Sequence, residues 1–211
     1  MQKKIKIDMT LHIKKNIVLY LIVLFAILTG IASGIFTACS MTYEQKYALG
    51  DYLKAFFQHN NHESVNRIAI FWKSLKQNLQ YSFFVWIAGL MLFGSPIIFL
   101  IIGMRCFFIG FALGFLLDRF HIRGFLFILL CILPQTLIYL SGFLLMGVIS
   151  MENSINRFKR RKLILPKEQI KQETLYYIIK ISILLLLLSI GSITEAYLSP
   201  AFFGLLSWIF D

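Results

Sequence analysis

Between Leu90 and Ile149 the chain is almost entirely Leu, Ile, Phe and Gly, yet residues that a plain apolar helix has no use for keep interrupting it. Gly94-Ser95-Pro96 is followed by Gly103-Met104-Arg105, then Gly110 and Gly114, then Pro134-Gln135-Thr136. Proline frees a backbone carbonyl, and arginine and glutamine carry donors that lipid cannot satisfy. Such groups are tolerated in a bilayer only where protein or water meets them. The run therefore predicts a packed helical core with a specific task rather than a simple anchor.

Composition sets the class. Of 211 residues, 58% are hydrophobic and 15% charged, and the mean hydropathy is +0.75. Soluble domains sit at roughly 45–50% apolar and 25% charged. Several apolar runs are also as long as the hydrocarbon layer is thick. The reading is an all-α, polytopic membrane protein with about five spans. Net charge is +11, but the basic residues flank apolar runs, where they orient the chain and meet anionic lipid instead of nucleic acid. Cys39, Cys106 and Cys131 lie in or beside apolar runs without a CxxC spacing. They read as small core hydrophobes, not as a disulfide framework.

The chain reads as a single membrane domain. A basic N-terminus, 1–15, carries Lys3, Lys4, Lys6, Lys14 and Lys15. The first span, Asn16 to Ala38, is too long and too poor in a small-residue cleavage site for a signal peptide. Residues 41–76 form the main polar stretch, in which Tyr47, Leu49, Leu53, Phe56 and Phe57 recur at helical spacing before a second helix-like piece, Val65 to Leu75. This pattern predicts two short amphipathic helices on the membrane or against a partner. Within the interrupted core, 79–149, spans are expected at Leu79–Ile102, Arg105–Leu117 and Phe125–Ile149. A basic loop, 150–174, precedes the last span, Leu175 to Thr194, and an apolar tail, 195–211. With five spans and a cytoplasmic N-terminus, fourteen of the 21 Lys and Arg fall inside and seven outside, as the positive-inside rule requires. Arg105–Leu117 is the weak point, being only about 20 Å of helix. A re-entrant pair there leaves four spans and a cytoplasmic C-terminus.

Several constellations stand out. Ala26, Gly30, Gly34 and Ala38 lie four apart on the first helix, and Gly110 and Gly114 repeat the spacing with Cys106 extending it. Such stripes let helix backbones approach, within the protein or against another membrane protein or a second copy. Arg105 either snorkels to the cytoplasmic interface or pairs with a carboxylate, for which Asp118 and Glu152 are the candidates. Pro134 frees the carbonyl one turn back, which Gln135 and Thr136 can satisfy. The result is a structural kink or the lining of a substrate path. Gly94 and Pro96 are expected to bend the second span. Glu195 is interfacial, or it binds a partner or a polar group of the core. No HExxH, GxSxG or phosphate loop is present. His12, His59, His62 and His121 are scattered and no two share a face within one span; His59 and His62 lie three apart in the outer segment but have no third ligand nearby, so the expectation is no enzyme, no cofactor and no metal.

Taken in order, the motifs resemble the stage II sporulation protein M family over nearly the whole length. The matching residues are Ser40-Met41-Thr42 with Gln45-Lys46, Tyr52-Leu53 with Phe56-Phe57, and Trp86 with Gly89-Leu90. They continue through Gly94-Ser95-Pro96, Ile109-Gly110-Phe111, Gly114-Phe115-Leu116, Gly124-Phe125, Leu133-Pro134-Gln135 and Glu195-Ala196-Tyr197-Leu198-Ser199-Pro200. The chain departs from the family pattern at Arg105-Cys106, where Lys-Gly is expected, and at Thr136, where Asn is expected. The resemblance implies a non-enzymatic membrane scaffold for engulfment during endospore formation. By that resemblance it localises the peptidoglycan-degrading stage II sporulation proteins D and P in the mother-cell septal and engulfing membrane. Partner contact is then expected through Tyr52, Phe56 and Phe57, through the small-residue stripes, or through Glu195, Tyr197 and Pro200. The competing expectation is a transporter or channel component of the same membrane.

Overall fold

The computed structural model describes residues 14–60, 67–160 and 167–205. Within them the chain forms six helices and no strand: α1 (Ile17–Cys39), α2 (Tyr43–Asn60), α3 (Arg67–Leu90), α4 (Gly94–Ile122), α5 (Gly124–Arg160) and α6 (Lys167–Leu205). Four are long and apolar enough to cross a membrane: α1, α4, α5 and the Glu168–Tyr197 part of α6. Their outward faces carry large exposed apolar side chains such as Leu21, Phe25, Leu100, Leu137 and Leu186, the surface that lipid rather than water accommodates.

Contacts fix the direction of each helix. Gly30 meets Gly103 and Cys106, Gly34 meets Phe107 and Phe111, and Gly114 meets Ile35 and Ala38. Residue numbers rise together, so α1 and α4 run parallel. Ser74 pairs with Glu195 and Trp86 with Tyr177, which sets α3 antiparallel to α6. Arg157 bonds Thr174 and Tyr139 bonds Glu195, which sets α5 antiparallel to α6. Thus α1, α4 and α6 run one way and α3 and α5 the other. The core between them is built from Val23 and Ile27 of α1, Val85 of α3, Ile98 and Ile102 of α4, Phe143 and Met146 of α5, and Ile181 and Leu188 of α6.

The structure moves three expected boundaries. Leu79–Ile102 is not one helix, because α3 stops at Leu90 and a bend at 91–93 reverses the chain. Gly94 and Pro96 do not kink a span; they open α4, where proline's missing N–H falls among donors that have no helical partner anyway. Ser154 pins the bend by accepting from the Gly94 N–H at 3.0 Å and donating to the Met91 carbonyl at 2.9 Å. Second, Val65–Leu75 is not a separate surface helix. Its described part, from Arg67 on, is the start of the 24-residue α3, about 36 Å long, which is held in the bundle by buried Ser74, Asn78 and Ser82. Third, Arg105–Leu117 is the middle of a 29-residue helix, so its expected shortness disappears. The tail is likewise continuous with α6 as far as Leu205.

Helical hydrogen bonding continues from α4 past Ile122, but His121 sits at φ 48°, ψ −124° and turns the chain back into α5. Left-handed backbone is costly for a residue with a Cβ, by about 1–3 kcal/mol. Gly124 follows, where a Cβ would lie 2.2 Å from the Leu116 carbonyl oxygen. His121→Gly is expected to raise stability by about 1 kcal/mol, read as a higher thermal midpoint of the purified protein. A lower midpoint contradicts this account of the turn. Farther along α5, Pro134 produces no break. A five-residue π segment, Ile128–Ile132, precedes it and Thr136 donates to the Ile132 carbonyl at 2.7 Å, so the altered ladder absorbs the missing N–H.

Candidate functional site

The interior holds a connected set of polar side chains at mid-bundle. Arg105 lies well inside α4, not at its end. Its Nη2 donates to Asn78 Oδ1 on α3 at 3.1 Å, and its guanidinium sits 4.8 Å from the Tyr81 ring centroid and 5.9 Å from that of Phe143. A planar, weakly hydrated cation is suited to stacking on aromatic faces. Arg105 Nε is buried and has no hydrogen-bond partner among the described residues. The snorkelling expectation therefore fails, and so do both expected partners. Asp118 pairs with Lys46 at 2.8 Å, and Glu152 lies 4.0 Å from Lys15. Arg105 is too far along α4 to reach either end.

From Asn78 the network runs on. Its amide donates to Ser192 Oγ of α6 at 3.1 Å. One turn earlier on α3, Ser74 donates to Glu195 Oε2 at 2.5 Å, and Tyr139 of α5 donates to the same oxygen at 2.6 Å. Glu195 is thus engaged inside the bundle, not on a free surface. Four helices contribute to one set that carries a cation at one edge and a carboxyl group at the other, with Asn78 and Ser74 between them. Ser74, Asn78, Tyr139 and Ser192 escaped the sequence reading. Their signal was spacing: Ser74, Asn78 and Ser82 recur every four residues, and Ser192 and Glu195 are three apart, so each group shares one helix face.

The small-residue stripes meet each other. Ala26, Gly30, Gly34 and Ala38 are all buried, and Gly30, Gly34 and Ala38 face Cys106, Gly110 and Gly114 along the α1–α4 seam. A Cβ on Gly110 would lie 2.2 Å from the Ile31 carbonyl oxygen, and one on Gly34 equally close to that of Phe107. Backbones touch there. Gly103 is different, since nothing lies within 3.8 Å of its hypothetical Cβ.

The remaining candidates scatter. Tyr52 is exposed on α2 and Tyr197 on α6. Gln135 is half-buried on α5. The side chains of Phe56, Phe57 and Pro200, like all of His62, lie outside the described residues. The α2 segment docks through Tyr47, whose ring lies 4.9 Å from the guanidinium carbon of Arg119 on α4. Among the described residues no three His, Cys, Asp or Glu side chains converge on a metal-sized site.

One helix breaks the outward apolar pattern. On α3, Lys73, Lys76, Gln77 and Gln80 are exposed on the outer face. They run from the first third of the helix to just past the level of Asn78, and none of them makes a hydrogen bond or ion pair among the described residues. Beside them a groove of about 570 Å³ runs between α3 and α6. Lys76 and Gln80 line it with Trp86 and with Ser82, whose buried hydroxyl has no partner among the described residues.

An apolar-faced bundle around a buried polar network defines a multi-pass helical membrane protein. The family model described as stage II sporulation protein M matches residues 21–200, and the chain belongs to that family. It is accordingly a sporulation membrane protein. No curated protein and no solved structure matches it.

Proposed function

We propose that the protein is a non-enzymatic scaffold for engulfment. In this reading it holds the stage II sporulation proteins D and P at the septal membrane, where they remodel peptidoglycan. The observation that carries the reading is the outer face of α3. Lys73 and Lys76 lean toward the outer end of α3, but Gln77 and Gln80, near the level of Asn78, are costly against lipid, and the cost falls if a partner's membrane segment covers this face. In this arrangement all five bundle helices cross, with the N-terminus cytoplasmic and α2 on the outer side, free to meet partners in the wall space. The polar face explains why α3 alone among the five is not apolar enough to stand against lipid by composition.

Two experiments test this. Purification from sporulating membranes in mild detergent is expected to recover the D and P proteins, and their absence would sink the proposal. Replacing Lys73, Lys76, Gln77 and Gln80 together with leucine is expected to leave the protein abundant while cutting recovery of those partners by about tenfold or more. A single interhelical polar contact in a membrane averages only about 0.6 kcal/mol, so all four are changed at once. Undiminished recovery removes α3 from the interface.

A second reading, a component of a transport path, rests on the unpartnered Arg105 Nε and Ser82 hydroxyl. Groups of this kind mark polar pathways through membranes. Arg105→Gln or Gln135→Leu proteins that stay abundant and keep their partners, but fail in engulfment, favour it. Normal engulfment in both counts against it.

A further inference from the structure

A second cavity, of about 770 Å³, lies at the basic end of the bundle between α5, α6 and the bend that joins α3 to α4. Its walls are of two kinds. Leu90, Leu92 and Ile149 make one side apolar, and Arg157, Arg160 and Lys180 line the other. Two carboxylates also line it, and each already has a cation. Glu173 pairs with Arg160, and Glu152 lies 4.0 Å from Lys15. Arg157, half-buried, donates to a neutral oxygen, Thr174 Oγ1, at 2.8 Å. Lys180 has no ion pair or hydrogen bond among the described residues. The cavity therefore keeps two cations without an anionic partner.

Helix geometry explains why these two converge. Side chains lean toward the N-terminus of their own helix. Arg157 stands near the end of α5, so its guanidinium leans into the bundle. Lys180 stands inside the apolar part of α6, so its ammonium leans out toward the same end. Tyr176 and Tyr177 also line the cavity, aromatic side chains of the type that collects at the membrane boundary. A forked guanidinium and a point charge over an apolar wall match one chemistry: a phosphate ester attached to hydrocarbon.

We propose that this cavity binds the headgroup of an anionic phospholipid, with its phosphate between Arg157 and Lys180 and its acyl chains along Leu90, Leu92 and Ile149. A zwitterionic lipid fits less well, because it brings a cation of its own to a site that already has two in excess. A soluble phosphate leaves the apolar wall uncovered. The proposal does not depend on the scaffold reading, nor on which leaflet this end faces.

The test is native mass spectrometry of the full chain released from vesicles of phosphatidylglycerol and phosphatidylcholine in equal amounts. Phosphatidylglycerol is expected to be retained preferentially. Each cation removed, in Arg157→Gln and in Lys180→Gln, should lower that preference about fivefold, whereas Arg119→Gln at the other end leaves it unchanged. Thermal unfolding of each variant checks folding. Lys180 is exposed, so its variant carries the test even if Arg157→Gln does not fold. Equal retention of the two lipids overturns the proposal, as does a preference that survives Lys180→Gln. Displacement of the lipid by millimolar inorganic phosphate also overturns it, because it makes the site one for soluble phosphate.

Discussion

Gly110→Val is expected to pry α1 from α4 and destabilise the protein by about 3 kcal/mol or more. A Cβ there lies 2.2 Å from the Ile31 carbonyl oxygen and 2.7 Å from the Ile31 Cα. Both are backbone atoms and neither can swing aside. Overpacking usually costs about 1–3 kcal/mol because side chains yield, and here the whole helix has to move. Association of apolar helices within lipid rests on close packing rather than on expulsion of water, so the seam has no other large source of stability. Gly103→Ala is the matched control. Its new methyl meets nothing closer than 3.8 Å, and the change is expected to be neutral or slightly favourable through helix propensity. Thermal unfolding of the purified variants in detergent reads the difference. Equal midpoints for the two variants contradict the seam.

The second large effect is expected at Asn78. Asn78→Leu removes the only hydrogen-bond partner that the Arg105 guanidinium has among the described residues, and the amide that donates to Ser192. A hydrogen bond to a charged group is worth about 1.5–3 kcal/mol, and Asn78→Leu is expected to cost about that much. The double variant Asn78→Leu with Arg105→Leu is expected to recover much of that loss, because the charge leaves with its partner. A double-mutant cycle should then give a coupling of about 1–3 kcal/mol. Tyr139→Phe, which deletes one donor to Glu195 while Ser74 still donates, should cost only about 1 kcal/mol. Strictly additive effects at Asn78 and Arg105 would show that the two do not act as a unit.

These residues also show how far the sequence could be read. The all-helical membrane class follows from apolar runs of bilayer length, and the small-residue stripes are visible at a spacing of four. The α1–α4 pairing is not, because spacing shows that a face is small but not which face it meets. The α3 boundary differs from the expected one for a physical reason. Hydropathy treats every residue as if it faced lipid, while Ser74, Asn78 and Ser82 face other helices. Together with the exposed Lys73, Lys76 and Gln77, buried Ser74 and Asn78 interrupt the apolar run, so Val65–Leu75 reads as a surface element and the second span as starting at Leu79 and running into Gly94-Ser95-Pro96. Arg105 was then expected at an end because its span was cut too short. Glu195 could be weighed as a core group, but its partners Ser74 and Tyr139 are 121 and 56 residues away in the chain. No local pattern reports such contacts.

The polar outer face of α3 and the buried network behind it share one helix, which divides the roles. Ser74 and Asn78 tie α3 into the bundle, and Lys73, Lys76, Gln77 and Gln80 point away from it. A partner that covers this face therefore touches a helix whose position is set by Arg105 and Glu195. If a partner covers this face, loosening the network should weaken its binding.

The most direct measurement places a photoreactive amino acid at Gln80 and, as a control, at lipid-facing Leu186, in sporulating cells. The expected result is a discrete adduct from position 80 that contains the stage II sporulation protein D or P, and no protein adduct from position 186. Lipid adducts alone from both positions would contradict the claim that α3 is a docking face.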